Sequence, residues 1–590
     1  MYSPRATYVK TSVRKTKTGE VRYLQLAHNE WDPARGRSVP KVIYGFGRED
    51  QLDTEAVRRL VASLSRLLEP DSTPLTGDGG LEFAESRPYG GACVLDRLWQ
   101  RLGIGTILAG LASPGPGRPR DAAAAERVLF GLVANRALAP SSKLAASEWM
   151  SRDVHIDGLG EVSDDACYRA VDWLHQIRGE LEKQVYFQVA DLLNLQVDLI
   201  FFDTTPAYFE TGEADDEVAR DWRGEKAAGQ DDVDGNRDRP AGGDGENPAG
   251  KPAGFRAYGK SRDSRDGLPQ VVIGLAVTRE GIPVRVWSWP GNTGGSALIR
   301  QVKKDMRDWS PGRVVWVADR GFSSKENRKF LQQGGGAYII GEKLRSGSAE
   351  AHAALSRQGR YKTVTGNLQV REVRLPDAGD RFIVCFNPDQ AVRDAAVRSK
   401  MISALEELIA GSDKLSVTKR AELRGKISTM PGPDRFLRVT PGGLLRTDLG
   451  RAKAEENLDG KYLLCSADPH MSADDIAADY KQLLEVERGR RDMKSVLDLR
   501  PVCHRLEERI RAHVILCWLA LLLVRVAENH TGQTWPAMRR DLQRIAIGTF
   551  TGPVGTFRQR TDIPKTTRDL LTALDIDVPR KIHELTTSQS

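Results

Sequence analysis

The chain has 590 residues and a mass of 65.2 kDa, too long for one ordinary domain. Hydrophobic residues make up 40%, charged residues 28%, and the mean hydropathy is −0.43, which excludes wholesale disorder and a multi-span membrane protein. Its 87 Lys and Arg exceed 80 Asp and Glu by seven, a weak sign of a polyanionic partner when averaged over the whole chain.

The cysteines narrow the field further. Cys93, Cys167, Cys385, Cys465, Cys503 and Cys517 stand singly, with no C-x-x-C pair, which argues against a zinc module or a disulfide framework and fits a reducing cytosol. His504 and His513 lie near Cys503 without metal-ligand spacing, so buried structural roles are expected for them. No apolar core follows the first charges, so no signal peptide is expected. The longest apolar run, residues 514–524, is eleven residues, short of the roughly 20 that span a bilayer. It reads as a buried helix, and the expectation is a soluble cytoplasmic protein, without membrane partners.

In chain order, residues 1–50 alternate in short β-like runs and predict a small basic sheet. Residues 53–69 have helical spacing behind an Asp N-cap, and the Pro/Gly/Thr-rich stretch 70–80 reads as a linker. Together 1–75 form a first unit, and 88–195 a helical one. VDLIFFDTT (197–205) is then an apolar strand ending in a carboxylate. LPQVVIGLAVT and IPVRVWSWPGN predict a hairpin turning at Glu280-Gly281, followed by a helix over 296–309. GRVVWVADRG (312–321) is a second buried strand ending in a carboxylate, and GAYIIGEKL (336–344) another strand. This is an α/β pattern over 196–345, resumed at KYLLCS and running to about 530, with 531–590 as a C-terminal region.

Two segments interrupt the pattern. Residues 227–254 hold seven Gly and three Pro with almost nothing to bury, which predicts a disordered surface loop. Asp232, Asp234 and Asn236 there do not make a calcium loop, because Arg237 stands where its Gly belongs and no Glu stands at the twelfth position. Residues 346–460 mix short strand patterns with charged helical stretches and read as a β-rich insertion.

A helix opens near Ser472, with Asp475 as its capping partner. On a wheel of about 100° per residue, Tyr480, Glu487, Arg491 and Lys494 share one polar stripe beside the apolar Leu483, Val486, Met493 and Leu497. That places Glu487 against the protein body and Glu485, with Asp492, on a solvated far side. Asp203, Asp319 and Glu487 can thus converge to hold two Mg²⁺ ions, with Mn²⁺ as an alternative, since hard cations take oxygen ligands and phosphodiester chemistry uses such pairs. Each acid also has a plain structural reading. Asp203 could cap the turn into Thr204, Asp319 could pair with Arg320, and Glu487 could sit in an exposed ion-paired helix.

Taken together, FFDTT, VADRG and the Tyr480…Glu487…Lys494 array resemble the DDE transposases of bacterial insertion sequences that carry a Tyr-Arg-Glu-Lys signature. YGKSRDSRDGLPQVVIGLAVTREGIPV, PGNT, YIIGEKLR and LRPVCHRLEERIRAHVILCWLALLL extend the resemblance over most of the chain. It implies an RNase H-like catalytic core, with the insertion placed between the second Asp and the Glu. The separations agree: 168 positions from Asp319 to Glu487 against 116 from Asp203 to Asp319. Leu483 occupies the signature's Arg position, so a DNA contact falls to Arg488 or Arg490; the latter stands where an aromatic is often found.

The expected function is a transposase that binds the terminal inverted repeats of its element, cuts there, and joins the 3′-OH ends to target DNA. Asp203, Asp319 and Glu487 would hold the metals. Tyr480, Arg491, Lys494, Arg488, Arg490 and Arg320 would face double-stranded DNA, with end recognition in 88–195 and a homodimer serving two ends. The alternatives are an element-derived DNA-binding protein without catalysis and, further off, a glycosidase with paired carboxylates. Charge sharpens the first reading. Residues 210–250 carry a net −8, leaving +15 on the rest, of which +6 lies in 481–590 and +5 in 1–50.

Overall fold

A computed structural model describes residues 7–16, 19–32, 37–48, 52, 82–112, 121–195, 197–227, 252–260, 265, 267–309, 314–376, 379–500, 504–552 and 555–587. The helix expected at 53–69, the linker at 70–80, nearly all of the 227–254 loop and Cys503 lie outside them. The chain divides into two compact units. One comprises Met1–Arg97, Ser147–Ser163 and His530–Ser590, the other Leu98–Ala146 and Asp164–Asn529.

The first unit opens with strands β1 (Thr7–Thr16), β2 (Gly19–Asp32) and β3 (Arg37–Arg48), an antiparallel meander, as the alternation predicted. Strand β4 (Glu82–Pro88) follows.

The second unit begins with helices, including Ala122–Leu138, whose N-terminus Asp121 caps by accepting from Ala124 N–H at 3.0 Å, and the long Asp164–Leu192. Strands β5 (Leu199–Tyr208), β6 (Gln270–Val277) and β7 (Pro283–Pro290) then form an antiparallel meander. The β6–β7 turn uses Gly281 at φ 74°, a conformation that favours glycine. After the helix Gly295–Asp305, β8 (Val315–Ala318) pairs parallel to β5. After the helix Lys325–Gln332, β9 (Ala337–Glu342) pairs parallel to β8.

The segment expected as an insertion divides in two. Its strands β10 (Lys362–Thr365), β11 (Leu368–Arg374) and β12 (Arg381–Phe386) extend the central sheet. The remainder is mostly helical. Pro388–Ile409 and Val417–Ser428, with the small hairpin of β13 (Leu437–Val439) and β14 (Leu445–Thr447), enclose their own core of Leu405, Ile427, Phe436 and Leu445. The expected β-rich character therefore belongs to sheet extension, and the separate core is helix-built. Strand β15 (Lys461–Ser466) inserts between β12 and β9, giving nine strands in the order β10-β11-β12-β15-β9-β8-β5-β6-β7. One face of this sheet packs Ile200, Phe202, Trp287, Trp289, Trp316 and Phe382 into a single apolar cluster.

The helices Ala473–Lys481 and Leu483–Ser495 follow, separated at Gln482, so the polar stripe read as one helix runs over two. Ser472 accepts from Asp475 N–H at 3.1 Å and its hydroxyl reaches the Asp475 carboxylate at 2.7 Å, the expected cap. The helix Glu507–Thr531 carries the 514–524 run. It is long and apolar enough to cross a membrane, and that apolar stretch is wholly buried within the fold. His504 and His513 are buried as expected. In the first unit, β16 (Ala546–Gly552), β17 (Gly555–Arg560) and β18 (Ile582–Thr587) complete an antiparallel sheet with β4 in the order β18-β17-β16-β4.

Candidate active site

The pairing of β5 with β8 sets the two aspartates. Phe202 lies opposite Ala318 in the parallel register, so the next residues, Asp203 and Asp319, are neighbours on adjacent strands. Successive side chains in a strand point to opposite faces. Ile200 and Phe202 enter the apolar cluster, and Asp203 therefore projects from the other face, where Arg490 of the Leu483–Ser495 helix meets it. Asp203 is not at a strand end, as the sequence suggested. β5 runs on to Tyr208, pairing with β6, and Asp203 sits mid-strand, 2% exposed. Asp319 does end its strand. Its carboxylate accepts from Gly321 N–H at 2.8 Å and caps the short turn Arg320–Phe322.

Tyr480 ties the third acid to these two. Burial pushes its hydroxyl well above the ordinary phenol range; Asp319 adds to that, Arg320 opposes it, and Glu487 and Asp203 add further. The phenol therefore stays protonated, with all three carboxylates within electrostatic reach. Its ring stacks on Tyr462 of β15 at 6.0 Å between centroids. Its hydroxyl lies over Gly341 of β9, where any Cβ would fall inside contact distance of the oxygen. Gly341 went unnoticed in the sequence, although YIIGEK carries it in a run otherwise suited to a buried strand.

The helical face is arranged differently from the wheel. Leu483, Val486, Met493 and Leu497 are buried as expected, but Glu487 is exposed and not held against the body. Glu485 and Asp492 are half-buried instead of solvated. Glu485 lies over the Gly281 turn, and Asp492 receives Arg525, itself 1% exposed, at 2.6 Å. The reason is that the supposed outer face meets the β6–β7 turn at Glu485 and the Glu507–Thr531 helix at Asp492, neither of which a wheel of one helix can register.

The candidate DNA-contacting residues fall into two groups. Arg491 and Arg320 are exposed, and Lys494 is half-buried on the same helix. Arg488 instead turns to Glu528 at 2.9 Å. Arg490 spans Asp203 Oδ2 at 2.8 Å and the Thr204 carbonyl at 2.9 Å, so neither fills the signature's missing Arg by reaching outward. Asp203 Oδ1 accepts from its neighbour Thr204 N–H at 2.6 Å, the capping role that was its plain structural reading.

Three carboxylates are the donor set that a hard divalent cation takes, and all three act electrostatically on the Tyr480 hydroxyl. Two features qualify the arrangement. Among the described residues, only His155, Asp157 and His583 bring three ligating atoms within 4.8 Å of one another, so the three acids are more widely spread. Arg490 also holds the oxygen of Asp203 that an ion would take.

The family model of the transposase DDE domain matches residues 246–523, and that of the IS1634 family transposase N-terminal domain matches residues 9–73. The first match includes Asp319 and Glu487 and begins after Asp203. No curated protein matches the chain. Among solved structures, the chain is similar to a piggyBac transposase in a cryo-EM synaptic complex with hairpin DNA. The identity is 12% over 77% of this chain and 78% of that one, at a TM-score of 0.33, too low to bear on fold or chemistry.

Proposed function

Because the chain belongs to the DDE transposases of bacterial insertion sequences, we propose that it binds the terminal inverted repeats of its own element, cleaves there, and joins the freed 3′-OH ends to target DNA. The observation that carries this reading is the juxtaposition of Asp203 and Asp319 on adjacent strands, with Glu487 acting electrostatically on the same Tyr480 hydroxyl as they do. An RNase H-like core is supported by strand order: β7-β6-β5 antiparallel, then β8 and β9 parallel to β5.

Asp203, Asp319 and Glu487 would hold two Mg²⁺ ions, or Mn²⁺ in their place. When bound, such a pair activates the attacking hydroxyl and stabilises the leaving oxyanion. The chain's own groups do the rest. Tyr480, kept protonated, donates its hydroxyl to a non-bridging phosphate oxygen. Arg491, Lys494 and Arg320 offset backbone charge without reading sequence. Arg490 holds Asp203 while DNA is absent and must release it for the site to work. Two ends per element imply a homodimer on DNA, acting in the cytoplasm.

The test is nicking of an oligonucleotide duplex carrying the element's end. Wild type should nick it only with Mg²⁺ or Mn²⁺, and Asp319→Ala should bind it equally well without cutting. Nicking retained in Asp319→Ala, or in excess chelator, would refute the reading. End binding by a wild type that never cuts would favour an element-derived DNA-binding protein.

A further inference from the structure

We propose that His155, Asp157 and His583 form a site for one Zn²⁺ ion, separate from the DDE carboxylates. The three lie in the first unit, on segments that are far apart in sequence. His155 and Asp157 follow the one-turn π-helix Trp149–Asp153, and His583 lies on the final strand β18. Their ligating atoms all lie within 4.8 Å of one another. His155 Nε2 is 3.2 Å and His583 Nδ1 3.9 Å from the same oxygen, Asp157 Oδ1. Two imidazoles and a carboxylate suit Zn²⁺, a borderline ion bound tetrahedrally by nitrogen and oxygen, with water taking the fourth position.

The surroundings are built for such a set. Tyr89 donates its hydroxyl to the other oxygen, Asp157 Oδ2, at 2.9 Å, which orients the carboxylate and leaves Oδ1 toward the imidazoles. The Tyr89 ring packs edge-on to His583 at 4.7 Å and tilted to His155 at 5.5 Å, fixing both rings. A carboxylate steadied by a second hydrogen-bonding group is the usual outer support of a zinc ligand. His583 turns Nδ1 toward Asp157 Oδ1, with its buried Nε2 on the far side of the ring. An ordinary histidine–aspartate ion pair needs only one imidazole, whereas here a second is brought to the same oxygen. Asp157 is half exposed at 45%, which gives an ion and its water a way in. The backbone supports the placement, since His155 N–H donates to the Pro88 carbonyl at 2.9 Å. The ion would thus fasten the end of β4, the 155–157 loop and β18 to one another.

The test uses the full chain in an Asp319→Asn background, so that the DDE carboxylates are weakened as a competing site. Protein stripped with chelator is dialysed against Zn²⁺ and its metal content measured, and Co²⁺ replaces Zn²⁺ to give a visible spectrum. The expected result is one ion per chain, with tetrahedral-type Co²⁺ bands. H583Q and D157N should each lose that ion. Tyr89→Phe, which keeps the packing ring, should bind roughly 10-fold more weakly, as outer-support mutations do. Circular dichroism separates loss of the ion from loss of the fold; if H583Q or D157N unfolds, Tyr89→Phe alone decides. No Zn²⁺ retained by the parent, or equal retention by the folded variants, would overturn the proposal.

Discussion

Arg490 places Nη1 2.8 Å from Asp203 Oδ2, so the most buried of the three candidate metal ligands already has a cation on it. The Asp203 side chain is 3% exposed and that of Arg490 19%, which makes this pair one of the less solvated in the fold. Removing one partner of such a pair leaves an uncompensated charge and costs about 3 kcal/mol or more. Arg490→Met should therefore lower the unfolding free energy by that order in chelator. Mg²⁺ should restore more stability to this variant than to wild type, because ion and guanidinium compete for one oxygen. Urea unfolding with and without Mg²⁺ reads both effects. Equal protection of the two proteins would mean that Arg490 and the ion do not share Asp203.

Tyr480 is a donor and not a base, because burial, followed by Asp319, holds its proton on at any working pH. Tyr480→Phe keeps the stack on Tyr462 and loses only the hydroxyl. Cleavage should fall by about 10-fold, the value of one charge-assisted hydrogen bond, with an unchanged pH profile. Gly341→Ala should reproduce the loss, since its Cβ would displace the same hydroxyl. An altered pH profile in Tyr480→Phe would instead make the phenol a titrating catalyst.

These side chains also show what could be read from the sequence. Asp203 and Asp319 were legible because each follows an apolar β run, and a carboxylate in such a place needs a reason. Glu485 and Asp492 escape such a reading because one helix's periodicity gives a direction but not what lies there: the β6–β7 turn meets the first and the Glu507–Thr531 helix the second. The joining of β12 to β15 across some 75 residues is likewise a pairing that local pattern does not encode. The His155, Asp157 and His583 grouping has no spacing signal at all, since 426 positions separate its last two members.

Buried histidines make the second unit sensitive to acid. Burial, then nearby Lys143 and Arg509, pushes His504 down to about 3, and burial, then Arg178, pushes His175 down to about 4. Unfolded histidines take up protons below about 6.5 and these do not, so their contribution is fully present above 6.5 and lost as pH falls. Glu182 acts in the opposite sense. Burial, opposed by Arg285, raises it to about 7, so its contribution is present below its unfolded value near 4.5 and lost as pH rises toward 7. Between these values, His504→Phe should flatten the loss of stability on acidification, and Glu182→Gln should steepen it. Each change approaches about 1.4 kcal/mol per pH unit, one proton's worth. Chemical unfolding at pH 5 and 6 measures the slopes, and parallel slopes in all three proteins would remove these groups from the account.

Arg488 and Arg491 are three residues apart on one helix, and their surroundings assign them different tasks. Arg488 pairs at 2.9 Å with Glu528, whose side chain is 6% exposed, and lies 3.9 Å from Asp492. Arg491 is exposed on the side of Glu487. Arg491→Ala should weaken binding of end-containing DNA and reduce the slope of log affinity against log salt by about 0.9, one phosphate contact. Its thermal stability should be unchanged. Arg488→Ala should leave that slope alone and lower stability, because Glu528 and Asp492 lose a cation that they share. Salt-dependent DNA titrations beside thermal unfolding of both variants give the answer. A reduced salt slope in Arg488→Ala would return that residue to the DNA face from which its ion pair withdraws it.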